Sequence, residues 1–386
     1  MPTSMPTAAP TPTPVPTPTS TPSTSTSAPA TPTPTPTQSC AERALGGLSR
    51  AQRVGQLFLV GLPNDRLDAS TAEAIRSGHI GSVWFTATTK GGVAGVRSVA
   101  DAVQGLASDA ATGGVRFYVA ANQEGGLIQA LGGPGFSTIP SALDQGKLPV
   151  ATLEADAVRW GGQLRAAGVN LDFAPVFDVV PSGGDTTNAP IGQLSREYGH
   201  DPAAAGSHAA AFVEGMRGAG VATTAKHFPG LGRVVGNTDF TADVVDTVTT
   251  PDDPYLGSFR AGIAAGVPFV MVALATYTKI DADRLAVFSP AVMRLLRDGL
   301  GFRGVIMSDD LGAAEAVASI PAGTRAIDFL EAGGDLVVVR GVATARTMAA
   351  AVLVRASRDG AFARQVDDAA LRVLEAKAAD GLLPCG

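Results

Sequence analysis

One short segment of the chain concentrates side chains that could do chemistry. It runs Lys226-His227-Phe228-Pro229-Gly230-Leu231-Gly232 and continues through Arg233 to Asn237-Thr238-Asp239. It offers a cation, an imidazole and a carboxylate, and it directly follows the apolar run of residues 221–225. Loops that a rigid scaffold holds in place often carry binding and catalytic groups. The segment is therefore predicted to present polar side chains to a ligand.

Two aspartates, Asp309 and Asp239, are the candidate carboxylates for catalysis. Glycoside hydrolysis needs one carboxylate to attack or stabilise an oxocarbenium-like centre and a second group to protonate the departing oxygen. Each aspartate also has a structural alternative. Asp309 could be an N-cap, because residues 310–313 can begin a helix, although two adjacent aspartates favour one that caps and one that faces a pocket. Asp239 could be an ordinary turn residue.

The elements that must position these groups are short apolar runs with helix-compatible stretches between them. The runs predict eight strands, at residues 56–60, 81–85, 116–120, 169–174, 221–225, 269–273, 304–307 and 336–339. Helical spacing of Ala, Leu and Arg recurs at residues 152–167, 202–218 and 290–298. Apolar strands that alternate with helices indicate a parallel sheet buried on both faces. Eight such units predict an α/β fold that closes into a single (β/α)8 TIM barrel.

A doubly wound open sheet is the alternative fold. It would usually carry a Gly-rich phosphate loop after the first strand, and residues 61–64 do not fit one. In a barrel, catalytic groups lie where the strands end at their carboxyl side. Polar residues collect at these predicted ends: residues 122–126, Asp178, Lys226, His227, residues 308–310 and Arg340. This distribution predicts a polar pocket at one end of the barrel.

Composition limits the domain organisation and the partners. Residues 1–39 are nearly all Pro, Thr, Ser and Ala, and the first charged side chain is Glu42. This composition predicts a disordered linker or stalk, with a low-complexity extension of no function as the alternative. Residues 40–386 then form the barrel. A net charge of -6 and a pI near 5.3 offer no basic face for nucleic acid, and the apolar runs are too short for a transmembrane segment.

Two cysteines, Cys40 and Cys385, stand at opposite ends of the predicted barrel. If the termini meet, a disulfide between them would close the domain, and it would indicate an oxidising, extracytoplasmic location. Two unpaired thiols are the alternative. We expect a secreted or cell-envelope protein, although no export signal is visible ahead of the Pro/Thr segment.

Several motifs together give the chain a definite resemblance to glycoside hydrolase family 3. The chain looks like the single-barrel bacterial β-N-acetylglucosaminidase (β-N-acetylhexosaminidase) branch of that family, over residues 48–383. The motifs that carry the resemblance are Gln123-Glu124-Gly125-Gly126, Asn170 with Phe173-Ala174-Pro175-Val176 and Asp178-Val179, Pro190-Ile191-Gly192, residues 196–199, residues 226–230, and residues 301–302 and 304–306 leading to Ser308-Asp309-Asp310-Leu311. The resemblance implies a retaining hydrolase of β-linked N-acetylglucosamine or a related sugar, acting on peptidoglycan fragments.

The resemblance also implies roles for individual residues. Asp309 matches the family's nucleophile, and Lys226, His227 and Arg196 match positions that hold sugar hydroxyls and the acetamido region. Glu124 matches an acidic residue in a glycine-flanked turn. Directed donors of this kind suit sugar hydroxyls and carbonyls. For Lys226, a buried structural ion pair is the alternative.

The chain departs from the family pattern where the acid/base is expected. The family's Gly-His-Gly and Asp-Ser-His read here Gly230-Leu231-Gly232 and Asn237-Thr238-Asp239. Further replacements are Asn122 for an aspartate, Leu127 for an arginine and Leu274 for a histidine. Three hypotheses follow: Asp239 is the acid/base, with Asn237 orienting it; the sugar specificity has changed; or the barrel binds cell-wall glycans with little hydrolysis.

The remaining expectations concern metals, cofactors and partners. The histidines do not cluster and the cysteines lack ligand spacing, so no metal site is predicted, and the expected hydrolysis needs no cofactor. The expected partner is a small carbohydrate or muropeptide from the cell wall. We expect a monomer whose substrate contacts come from loops at residues 182–194 and 230–243.

Overall fold

Eight parallel strands form the main sheet of the computed structural model, which describes residues 1–5, 7–17 and 38–385. In chain order they are β1 (Phe58–Leu62), β2 (Ser82–Phe85), β3 (Tyr118–Ala121), β4 (Leu171–Asp172), β5 (Ala222–Phe228), β6 (Phe269–Val272), β7 (Val305–Ser308) and β8 (Val337–Val339). All eight predicted strands are therefore present.

The sheet closes on itself. Each strand from β1 to β6 pairs in parallel with the next one, and β1 also pairs with β8. A parallel bridge between Met307 of β7 and Leu336, directly before β8, completes the ring. The prediction of a single (β/α)8 barrel is confirmed, and the open-sheet alternative is wrong.

Both faces of the strands are buried, as a barrel with an outer ring of helices requires. The inner face carries alternate residues that fill the interior: Leu59, Trp84, Tyr118, Ala120, Leu171, Phe173, Ala222, Phe269, Met271, Val305, Met307 and Val338. The outer face, with residues such as Val60 and Val270, packs against the helices. Burial on both faces explains why the strands read as nearly continuous apolar runs.

Helices surround this barrel. The α-helices lie at Cys40–Gly47, Arg50–Gln56, Ala69–Gly78, Gly92–Gln104, Asp109–Thr112, Ala142–Gln145, Val150–Ala166, Pro202–Gly218, Gly257–Ala264, Pro290–Arg294, Ala322–Ala332, Val342–Arg358 and Gly360–Ala379. Side-chain caps fix several starts. Asp201 accepts a hydrogen bond from Ala204 N, and Pro202 occupies the first turn of the same helix, where its missing N–H costs nothing. The three predicted helices are present.

The two ends of the barrel region, at Cys40 and Cys385, meet at the amino-terminal side of the barrel. Cys40 and Cys385 are joined by a disulfide, next to a small apolar cluster that includes Ala41, Leu48 and Leu374. The last helix, Gly360–Ala379, places Lys377 under the barrel, where its Nζ donates to Gln56 Oε1 and Gly81 O. The carboxyl-terminal mouth lies on the opposite side of the barrel.

Several element boundaries differ from the predicted ones. Gln56 ends the helix Arg50–Gln56, so β1 begins at Phe58 rather than at residue 56. The predicted helix at residues 290–298 continues from Arg294 as a π-helical turn, Leu295–Gly299. Short strands that were not predicted form a hairpin, Gln123–Gly125 with Ile128–Gln129, and a small sheet of Val245–Asp246, Thr276–Tyr277 and Asp281–Leu285.

The amino-terminal segment is described only in part. Residues 1–5 and 7–17 are exposed and carry no regular secondary structure. Residue 6 and residues 18–37, which make up much of the predicted stalk, lie outside the described residues, so the stalk stays a prediction. In the described parts of the chain, no helix is long and apolar enough to cross a membrane.

Candidate active site

A cavity of about 350 Å³ lies at the carboxyl-terminal mouth of the barrel. Its lining includes all but one of the predicted catalytic and binding residues: Asn122, Arg196, Lys226, His227, Asn237, Asp239 and Asp309. Trp84, Phe240 and Arg340 also line it. The fold therefore brings together residues that are up to 187 positions apart, from Asn122 to Asp309.

The missing residue, Glu124, lies behind the wall and holds two cations in place. Its carboxylate accepts from Nε and Nη2 of Arg196, both at 2.8 Å, and is 2.5 Å from Lys226 Nζ. Lys226 Nζ also donates to Asn122 Oδ1 at 2.9 Å. Glu124 is thus a positioning group for the cavity wall, and the ion pair considered as the alternative for Lys226 is present.

The cluster of Glu124, Lys226 and Arg196 is charged although it is buried. Burial by itself would raise the pKa of Glu124, but the charges of Arg196 and Lys226 lower this pKa to about 2. An ammonium has three donors, and Glu124 and Asn122 take two of those on Lys226. One donor is left for a ligand, so pairing and ligand binding are compatible.

His227 is oriented from behind by Asp178. Nδ1 of His227 lies 2.7 Å from Asp178 Oδ2, and the same carboxylate accepts from the backbone N–H groups of His227 and Leu231. This contact uses Nδ1 and leaves the other ring nitrogen, Nε2, out of the bond to Asp178. Asp178 was not predicted as a site residue. Its position shortly after the fourth predicted strand, among the polar residues expected at the pocket, was the available signal.

The two adjacent aspartates have different environments. Asp310 Oδ1 accepts from the backbone N–H groups of Gly312 and Arg340, so its carboxylate joins the loop after β7 to the end of β8. Asp309 lines the cavity, and one of its oxygens accepts from Asp310 N at 2.8 Å. Burial raises the pKa of Asp309, His227 opposes this rise, and the negative charge of Asp239 adds to it.

Asp239 reaches the cavity from an exposed loop. Asn237 Oδ1 accepts from the backbone N–H of Asp239 at 3.0 Å, which forms an Asx turn. Asn237 therefore contacts the backbone of Asp239, and among the described residues no hydrogen bond runs from its Nδ2 to the Asp239 carboxylate, so its role in orienting that carboxylate stays a prediction. Backbone bonds from Ala316 N to Thr238 O and from Glu315 N to Asp239 O hold this loop against the segment that follows Asp309.

Apolar and aromatic side chains form part of the rim of the cavity, and of Trp84, Leu127 and Phe240 only Leu127 stood out in the sequence, as a replacement for an arginine. Phe240 is 81% exposed and Leu127 is 74% exposed, although both line the cavity. The guanidinium of Arg340 lies 5.5 Å from the ring centroid of Trp84. A polar floor with an apolar rim suits a sugar whose hydroxyls bind below and whose substituent packs above.

Comparisons with known proteins agree with one another. The family model for the glycosyl hydrolase family 3 N terminal domain matches residues 50–376. A β-hexosaminidase of Stenotrophomonas maltophilia (strain K279a) is 37% identical over 235 residues, which cover 57% of this chain and 66% of that protein. The alignment thus spans somewhat less than two thirds of that relative.

Solved structures show the same fold. The β-N-acetylhexosaminidase from Beutenbergia cavernae DSM 12333 is 50% identical with a TM-score of 0.85, over 86% of this chain and 99% of that one. A glycoside hydrolase family 3 β-N-acetylglucosaminidase from Paenibacillus sp. str. FPU-7 is 27% identical with a TM-score of 0.78, over 86% of this chain and 63% of that one.

Proposed function

The chain belongs to glycoside hydrolase family 3, and from this premise we propose that it hydrolyses a terminal β-linked N-acetylglucosamine or a related β-linked sugar. The observation that carries the proposal is the placement of Asp309. Its carboxylate faces the cavity among groups that suit a sugar: the paired cations Lys226 and Arg196, the amide of Asn122 and the oriented ring of His227.

In the proposed mechanism Asp309 is the nucleophile of a retaining double displacement. Its carboxylate attacks the anomeric carbon while the bond to the departing oxygen breaks, and that oxygen takes a proton from an acid. A water molecule then attacks the anomeric carbon, gives its proton to the same group and releases Asp309. Asp239 is the proposed acid and base, because it brings a carboxylate to the cavity and its charge acts on Asp309.

A catalytically weak glycan-binding barrel is the second candidate. It is favoured by one observation, the exposed position of Asp239 on a loop where Asn237 supports the backbone rather than the carboxylate. The cluster around Glu124 would still bind sugar hydroxyls in such a protein. The two candidates differ in whether a glycosidic bond breaks.

The deciding experiment uses aryl glycosides with good leaving groups, which need little help from an acid. The panel consists of aryl β-N-acetylglucosaminides, β-glucosides and β-xylosides, tested with the wild-type chain, Asp309→Ala and the control Asp283→Ala in an exposed hairpin. We expect release from the N-acetylated substrate that disappears in Asp309→Ala and persists in the control. Saturable binding of muropeptides without release from any glycoside would instead establish the binding protein.

The biological setting is proposed as the cell envelope, with peptidoglycan fragments as the source of the sugar. The disulfide between Cys40 and Cys385 supports an oxidising compartment, and a Pro/Thr-rich segment suits a spacer. We further propose a monomer. Fractionation of the source cells and light scattering of the purified chain test these two statements separately.

A further inference from the structure

A second cluster of polar side chains lies outside the cavity, on the segment that follows β4 and leads to Arg196. Asp185, Glu197 and His200 each place one possible ligand atom within 4.8 Å of the others. Glu197 follows Arg196 directly in the chain, but it takes no part in the bonds between Arg196 and Glu124. The cluster therefore needs an explanation of its own.

Glu197 is the unusual member of this cluster. Its side chain is 0% exposed, and within residues 38–385 neither of its carboxylate oxygens has a hydrogen-bond partner. The buried Oδ1 of Asp185 has none there either. A buried carboxylate without a donor or cation is costly. Either a proton or a metal ion held between these three oxygens would remove this cost.

His200 only partly balances the negative charge of Asp185 and Glu197. Nδ1 of His200 is 3.6 Å from Asp185 Oδ1, but it is closer, at 3.0 Å, to the backbone oxygen of Val180. Burial raises the pKa of Glu197 to about 7, the negative charge of Asp185 adds to this rise, and His200 opposes it. At neutral pH a metal ion and a proton would thus compete for Glu197.

We propose that Asp185, Glu197 and His200 bind one divalent metal ion of the Zn²⁺ class. Imidazole nitrogen and carboxylate oxygen are both zinc ligands, and an open zinc site has three protein ligands with a water molecule in the fourth position. Bonds of about 2.0–2.2 Å would need the donor atoms slightly closer together than they are now. Ca²⁺ would require six to eight oxygen ligands, so this donor set favours zinc.

Entry to the site is open. The side chains of Asp185 and His200 are 38% and 33% exposed, while Glu197 forms the buried end. An ion here would join two parts of the same segment, at Asp185 and at residues 197–200, and this segment carries Arg196 to the cavity wall. Metal binding would therefore stabilise the wall without contacting the sugar, and it does not depend on whether the sugar is hydrolysed.

The test is a titration of the untagged full chain with Zn²⁺ alone after dialysis against a chelator. We expect one ion per chain by calorimetry, release of protons on binding near pH 7, a higher melting temperature, and at least tenfold weaker binding of Ca²⁺ and Mg²⁺. Glu197→Gln keeps the shape but removes the charge, and it should weaken Zn²⁺ binding at least tenfold. His200→Gln should do the same from the exposed end, which keeps the test valid if Glu197→Gln does not fold.

His208→Gln is the matched control, because His208 lies on the neighbouring helix Pro202–Gly218 and bonds only to backbone oxygens. It should leave the affinity for Zn²⁺ unchanged. Binding of equal strength in all three variants would show adventitious zinc and overturn the proposal. No binding to the wild-type chain at pH 8 would also overturn it and would assign the cluster to a carboxyl pair that shares a proton.

Discussion

At the scale of single residues, the cavity depends on side chains that hold other side chains. Glu124 does not line the cavity, yet it fixes Lys226 and Arg196, and Asp178 orients His227 in the same way. Motif positions indicated which residues belong to the site. They did not indicate which ones face the ligand, because that depends on how the turn after β3 directs Glu124 beneath the wall.

The first prediction concerns this buried cluster. Glu124→Gln leaves Lys226 and Arg196 without their carboxylate, and breaking a buried pair from one side costs about 3–5 kcal/mol. We expect the free energy of unfolding, measured in urea at pH 7, to fall by that amount. Glu73→Gln, at an exposed helix position, is the control and should change it little.

The same cluster has a pH dependence with a definite sign. The pKa of Glu124 is lowered in the folded state from 4.5 to about 2, so the unfolded chain takes up a proton first as the pH falls. The ionised Glu124 therefore stabilises the fold fully above about pH 4.5, and this stabilisation is lost as the pH falls from there to about 2. Equal acid sensitivity of wild type and Glu124→Gln would contradict the assignment of this charge.

The second prediction tests the role of Asp239 as the acid. If Asp239 protonates the departing oxygen, Asp239→Asn should lower kcat/KM for poor leaving groups by about 10²–10⁴-fold. For dinitrophenyl glycosides kcat/KM should hardly change, because the dinitrophenolate oxygen leaves without taking up a proton. Asp243→Asn, an exposed change in the same loop, is the control. A uniform loss on both kinds of substrate would remove Asp239 from the acid role.

At the scale of elements, loops at the mouth are tied to one another by buried side chains. Asn188, on the loop after β4, donates to Leu231 O and Val234 O and accepts from the N–H groups of Ile191 and Gly192. The loop after β5 is thereby fixed to the loop that carries Arg196. These hydrogen bonds join the two loops, residues 182–194 and 230–243, that are expected to supply the substrate contacts.

The third prediction follows from these four bonds. Asn188→Ala leaves buried backbone groups without partners, and at about 1 kcal/mol for each of the four bonds the free energy of unfolding should fall by about 4 kcal/mol. Cleavage by a protease within the two loops should become faster. Gln193→Ala removes one exposed bond to Thr186 O and serves as the control. Unchanged cleavage rates in Asn188→Ala would show that the loops are held by other contacts.

The strands of the barrel were easier to predict from the sequence than the short elements at its mouth. Runs such as residues 269–273 are apolar on both faces and have one structural solution, a buried parallel strand. The hairpin around Gln123–Gly125 has only three residues in its first strand, too few for any period to be visible. Glu124 lies in that hairpin, so the least predictable element carries the carboxylate that holds Lys226 and Arg196 in the cavity wall.

At the scale of the whole molecule, the disulfide joins residues 345 positions apart. Our fourth prediction is that Cys40→Ser with Cys385→Ser lowers the free energy of unfolding by up to about 5 kcal/mol, since the bond restricts the unfolded chain over nearly the whole domain. A reductant should have the same effect on the wild-type chain and no effect on the double variant. Equal stability of oxidised and reduced protein would contradict it.

The last prediction concerns Lys377, which lies under the barrel with its pKa lowered by burial from 10.5 to about 7. Between these two values the unfolded chain binds nearly one proton more than the folded chain, so the free energy of unfolding must rise with pH. The slope contributed by this group approaches about 1.4 kcal/mol per pH unit, and below pH 7 it disappears because both states are protonated. The free energy of unfolding, measured in urea from pH 6 to 9, should show this rise in wild type and in the exposed control Lys90→Met, but not in Lys377→Met. If the free energy of unfolding depended on pH in the same way in Lys377→Met and in wild type, the ammonium would stay charged beneath the barrel, held by Gln56 and Gly81.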